Sequence, residues 1–298
     1  MNRRQLLGAG TAAALLGALP RPLRAAMPER IVAAGGAMTE IVFALGEGER
    51  VVAVDTTSLY PWKAIEPLPK IGYLRQLAVE GILSIHPDLI LADVDAGPKD
   101  VLDQLAHMGA RVAHFTAEHT ADSVVPKIGF VGAAIEQKPA ADALAATFKA
   151  DLAQIDAEVA KIAGHPTAIF LIGVGTTGLR GAGKGTAAAE MIARAGATNA
   201  LGDVTGYKPA SAEAMLAANP DYIVMMEQTV AELGGVNAVS MLPVLAGLDA
   251  AKQKRIVAME GNYLLSFGPR TAHAVRDLAV ALHPGADIPA LPPRAWTA

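Results

Sequence analysis

Residues 77–92, LAVEGILSIHPDLILA, recur without a gap as residues 210–225, ASAEAMLAANPDYIVM. Glu80 falls on Glu213, Leu83 on Leu216, Pro87 on Pro220, Asp88 on Asp221 and Ile90 on Ile223. With one residue of slip just upstream, Gly72-Tyr73 falls on Gly206-Tyr207. A repeated unit of helix, Pro-Asp turn and apolar strand, one copy in each half of the chain, predicts two homologous lobes facing one another across a cleft. Helix, Pro-Asp and strand follow one another in many α/β proteins, so the repeat speaks to architecture before it speaks to function.

The surrounding pattern agrees. From Ile31 short apolar runs alternate with helical stretches: strands at 31–34, 51–54, 89–92 and 112–115, and helices at 39–45, 79–84 and 101–108. This alternation predicts parallel sheets, and near-continuous apolar strands such as Leu89-Ile90-Leu91-Ala92 fit burial on both faces. Between 122 and 164 the chain turns alanine-rich, and a long helix opens at Pro139 and stops at Gly164-His165-Pro166. Strands resume at 167–172, 222–226 and 256–259, and a last helix spans 272–282. The expected division is an N-terminal lobe over 27–121, a linking helical region over 122–164 and a C-terminal lobe over 165–298.

Residues 1–26 carry Arg3-Arg4, a short apolar run and Ala25-Ala26, the pattern of an export signal of the twin-arginine kind. The run is shorter than the roughly 20 apolar residues that span a bilayer. The 298-residue chain has no cysteine, which excludes a disulfide framework, a thiolate nucleophile, a zinc–sulfur site and a lipid-attachment site. The mature protein is therefore expected free in the periplasm, as a monomer. Removing 1–26 leaves 21 basic against 29 acidic side chains, a net charge of −8, which argues against nucleic acid or an anionic membrane as partner.

Motifs for catalysis fail on inspection. The run GVGTTG at 173–178 has dinucleotide spacing, but LRGAG follows where a helix should begin, and it reads as a loop. Residues 178–184 have the spacing of a phosphate loop, but Gly185 stands where magnesium needs Ser or Thr. The seven histidines form no paired-ligand spacing, and no nucleophile elbow occurs. An exported α/β enzyme is the reading these absences weaken most.

The stretch DTTSLYP at 55–61, followed by KIGYLRQLAVEGILSIHPD at 70–88, resembles the haem-binding proteins of bacterial haem-uptake ABC transporters. GKGT at 183–186, GYKP at 206–209 and YLLSFGPR at 263–270 resemble them too. The resemblance implies an α/β fold of two Rossmann-like lobes with parallel sheets joined by one long α-helix, with haem in the cleft and ABC permease subunits as partners. It makes Tyr73 the axial ligand of the haem iron and Arg75 its companion, acting on the phenolate or on a propionate. A phenolate is a hard anionic donor suited to ferric iron, and tyrosine ligation of haem has precedent. Some relatives supply a second axial histidine after the first strand of the second lobe; residues 172–178 hold none. Gln228 stands where many carry an arginine, so Arg180, Lys184 or Lys208 is left to meet the propionates, and Tyr207 is a further cleft candidate. Glu40 and Glu190, each early in the helix that opens its lobe, are expected to stand exposed and to dock on arginines of the permease. The same superfamily includes siderophore and cobalamin binders, which are the alternative.

Overall fold

The computed structural model describes residues 27–173 and 178–297. The export signal expected over 1–26, and residues 174–177 of the glycine-rich run, lie outside the described residues. Among the described residues ten strands form two sheets: β1 (Ile31–Ala34), β2 (Val51–Val54), β3 (Leu89–Ala92) and β4 (Val112–His114) in the first, and β5 (Thr167–Gly173), β6 (Leu179–Ala182), β7 (Thr198–Asn199), β8 (Tyr207–Pro209), β9 (Tyr222–Met226) and β10 (Ile256–Met259) in the second. The first is parallel throughout, in the order β2-β1-β3-β4. In the second, β10, β9, β5 and β7 run parallel, while β6 and β8 extend the sheet antiparallel. All-parallel sheets were expected, and the second sheet departs from that for a simple reason. Five residues separate β5 from β6, too few for the crossover that parallel neighbours need.

The repeat is visible in three dimensions. Helix Val79–Leu83 leads into β3, and helix Ala212–Ala218 leads into β9. β3 lies beside β1 as β9 lies beside β5. The repeated aspartate has a structural task in both copies. Asp88 accepts hydrogen bonds from the backbone N–H groups of Glu29 and Arg30, both at 3.0 Å, just ahead of β1. Asp221 accepts from the N–H of Thr167 at 2.8 Å, at the start of β5. Each Pro-Asp turn thus ties the entry of one strand to its neighbour.

Alternate residues of β1 serve different cores. Ile31 and Ala33 face a core shared with the linking helices, while Val32 and Ala34 face the outer helices of the first lobe. β5 divides in the same way, with Ala168 and Phe170 in the shared core and Ile169 and Leu171 outside it. The linking helix Lys138–Val159, about 33 Å long at 1.5 Å per residue, carries Leu144, Phe148, Leu152 and Ile155 into that shared core. The final helix Thr271–Leu282 packs on it as well. One apolar core therefore runs from the first lobe through the linker into the second. None of the described helices is long and apolar enough to cross a membrane.

A continuous core makes the two lobes unfold together. Ile155→Val, which removes one buried methyl from the linker, should cost about 0.5–1.5 kcal/mol and shift one cooperative transition. Separate lobe transitions in calorimetry would contradict the shared core.

Candidate functional site

The candidate residues of the first lobe lie on loops that leave the carboxyl ends of β2, β3 and β4. In open α/β sheets that is where ligands bind. Between β2 and helix Val79–Leu83 the chain buries Ile71, Leu74 and Leu77 in the outer core of the lobe. Tyr73 and Arg75 alternate with these anchors and point outward, with Tyr73 41% exposed. Gly72 permits the turn, at a φ of 98° that disfavours any side chain. The loop after β3 is stitched to this segment by Gly97 N–H to the Leu74 carbonyl (3.0 Å) and Leu77 N–H to the Gly97 carbonyl (2.8 Å). That stitching brings Asp95 up to Arg75.

The side chains then form a chain of hydrogen bonds. Arg75 Nη1 donates to Tyr73 Oη at 3.0 Å, and Arg75 Nη2 donates to Asp95 Oδ2. His119, on the loop after β4, meets the same Asp95 oxygen through Nε2 at 3.1 Å. The His119 hydrogen bond holds Asp95 below the usual carboxylate range against the effect of burial, with help from the Arg75 and Lys127 charges. Burial works against the Arg75 charge, and Asp95, Tyr73 and Tyr207 together outweigh it and hold the guanidinium above its ordinary range. The Tyr73 side chain is thus exposed, its oxygen beside a guanidinium held by Asp95.

The second lobe contributes Tyr207, at the start of β8 and preceded by Gly206 at a φ of 70°, the same backbone device as at Gly72. Burial raises the Tyr207 phenol while the Arg75 charge works to lower it, so Tyr207 of the second lobe stands within electrostatic reach of the Arg75–Asp95 pair. Arg180 on β6 donates through Nη2 to the Tyr207 backbone carbonyl at 2.6 Å, bracing that strand. Lys184 and Lys208 are exposed, while Gln228 accepts from Gly261 N–H at 3.2 Å.

The expectation of two exposed acids at Glu40 and Glu190 is corrected. Glu40 is 4% exposed, in the second turn of helix Gly36–Ala44, and grips Arg270 of the other lobe through Oε1 at 2.6 Å and Oε2 at 3.1 Å. Burial pushes its carboxyl up despite Arg270. Arg270 is itself stacked 3.7 Å from the Tyr60 ring, with Tyr263 behind it at 5.1 Å. Glu190 is partly buried and lies 3.6 Å from Arg194, which also binds Asp156 of the linking helix. Glu40 faces inward because its helix packs on the shared core, whereas the Glu190 side chain stays 31% exposed along its own helix. Fully buried Lys127 adds a second tie, contacting Asp93 at 3.3 Å and the Ser266 carbonyl at 3.4 Å.

Sequence reading missed Asp95, His119 and Lys127 as members of these networks. A usable signal was present for the first: Asp93 and Asp95 follow an apolar strand directly, at the end where α/β sheets carry their sites.

The periplasmic binding protein family model matches residues 31–263. Among solved structures the chain is similar to a periplasmic haem-binding protein from Roseiflexus sp. RS-1 in apo form, with 39% identity over 87% of this chain and 99% of that one and a TM-score of 0.83. It is also similar to a periplasmic haem-binding protein from Pseudomonas aeruginosa, with 32% identity over 89% and 96% of the two chains and a TM-score of 0.80. A Vitamin B12-binding protein of Pectobacterium atrosepticum is 28% identical over 67% of this chain and 72% of its own length. The chain belongs to the periplasmic binding protein family.

Proposed function

We propose that this protein captures haem between its two lobes, with Tyr73 as the axial ligand of the iron, and delivers it to the permease of an ABC importer. The observation that carries the reading is the exposed Tyr73 phenol at the cleft, held 3.0 Å from the Arg75 guanidinium. Arg75 donates to that oxygen, and phenolate is the form of tyrosine that ligates ferric iron. Exposed Lys184 and Lys208 on the facing lobe offer cations to the propionates. Similar proteins of both kinds exist, haem binders and vitamin B12 binders, and the tyrosine–arginine pair favours haem. Export by residues 1–26 to the periplasm belongs to the same reading.

Equilibrium dialysis against hemin, cyanocobalamin and a ferric siderophore tests the ligand class. Retention of hemin over the other two is the expected result; retention of cyanocobalamin or the siderophore in its place overturns the proposal.

Docking needs acids that face solvent. With Glu40 buried and Glu190 engaged, the repeat itself supplies a better pair. Glu80 and Glu213 occupy equivalent positions in the first turns of Val79–Leu83 and Ala212–Ala218, and both are exposed. Two carboxylates, one per lobe, suit a two-subunit permease carrying arginines. The double reversal Glu80→Arg with Glu213→Arg should abolish transport in the reconstituted importer and leave haem binding intact. Unchanged transport would remove these acids from the interface.

A further inference from the structure

We infer that Asp95 is the positioning residue of this site: its carboxylate turns the Arg75 guanidinium onto the Tyr73 oxygen, and His119 fixes Asp95 from behind. The inference rests on Tyr73 being the iron ligand. Arg75 alone is poorly placed to hold one geometry, because its side chain is 54% exposed and long. Its planar fork, however, is divided between two acceptors, Nη1 to Tyr73 Oη at 3.0 Å and Nη2 to Asp95 Oδ2. Gripping one arm of a rigid guanidinium sets the direction of the other.

Asp95 can grip because it is itself held. His119 contacts the same oxygen at 3.1 Å, and the His119 side chain is 19% exposed. The imidazole lies against the Phe267 ring, with centroids 6.2 Å apart and planes 31° from each other. Phe267 belongs to the segment between the second lobe's helices and is 1% exposed. The network therefore starts at a buried aromatic of one lobe and ends at an exposed phenol of the other. With both arms of its fork engaged, Arg75 acts on the ligand oxygen, and the propionates fall to cations elsewhere in the cleft.

Hemin titration and resonance Raman of the haem complexes, run on the full mature chain, test this with four variants. Asp95→Ala should weaken hemin binding about tenfold, the low end of the range for partners of a metal ligand, and should shift the iron–phenolate stretching frequency. Asp95→Asn keeps an oxygen acceptor for Arg75 and should restore the frequency and most of the affinity. In an Arg75→Ala background, Asp95→Ala should have no further effect, because nothing is left to position. Thermal melts of the apo variants show whether each is folded, and the Asn variant carries the test if the Ala variant is not. An unchanged frequency and affinity in Asp95→Ala, an Asn variant no better than Ala, or an undiminished loss in the Arg75→Ala background would each overturn the positioning role. Tyr73→Ala is the separate control: wild-type spectra in that variant would sink the ligand assignment itself, whereas their loss with a silent Asp95→Ala would sink only the inference about Asp95.

Discussion

Tyr73→Ala should lose more than about 100-fold in hemin affinity. Partners that merely orient a metal ligand cost about 10–100-fold when removed, and Tyr73 is the ligand itself. Its neighbours are not free to replace it: Asp95 is held by Arg75 and His119, and Tyr207 sits on the facing lobe with a phenol that burial pushes up. The substitution should leave the fold alone, because the side chain is 41% exposed while its neighbours Leu74 and Leu77 do the anchoring. Fluorescence quenching by hemin, alongside thermal melts of the apo protein, separates loss of ligand from loss of structure. An alanine variant that binds hemin as the wild type does would return Tyr73 to the surface of the cleft with no role in ligation.

Arg270→Ala should destabilise the protein by about 3–5 kcal/mol, the cost of breaking a buried ion pair by removing one partner. The reason is the environment of Glu40, which is 4% exposed and takes both of its short contacts from Arg270. Without the guanidinium a carboxylate is left buried between the lobes with no hydrogen-bonding cation. Burial already raises its proton affinity in the intact protein. In the variant the native state therefore binds a proton that the unfolded chain releases, so stability rises as pH falls toward the ordinary glutamate value and drops as pH rises above it. Urea denaturation at pH 5 and pH 8 reads both the deficit and its sign. Glu40→Leu together with Arg270→Met should recover most of the loss, since replacing both charges removes the desolvation cost that a single substitution exposes. A deficit below about 1 kcal/mol in Arg270→Ala, the range of a solvent-exposed pair, would mean that this contact does not tie the lobes.

The architecture was legible because its signals are local. Runs such as IVAA at 31–34 and LILA at 89–92 are apolar at every position, which only a strand covered on both faces tolerates, and they form β1 and β3 at those residues. The linking helix announced itself by Pro139 and by length. β6 and β8 were not foreseen: LRGA and YKP are short, carry glycine or proline, and become strands only by pairing with β5 and with each other.

The site was legible to the extent that it is contiguous. Tyr73 and Arg75 lie two residues apart, whereas Asp95 and His119 join them through three loops that meet only when β2, β3 and β4 are side by side. The placement of Glu40 failed for a related reason. Its helix, GAMTEIVFA, is apolar on nearly every side, the pattern of a buried helix, but nothing nearby reveals that Arg270, 230 residues away, closes over the acid. The same criterion of paired acids at repeat-equivalent positions, applied to the gapless alignment, selects Glu80 and Glu213, which the fold leaves exposed.

Resonance Raman of the hemin complex tests tyrosinate ligation most directly. The account predicts phenolate ring modes and an iron–phenolate stretch enhanced under excitation into the ligand-to-metal charge-transfer band, both absent from Tyr73→Ala. A hemin complex without phenolate modes, or with the same modes in Tyr73→Ala, would contradict it.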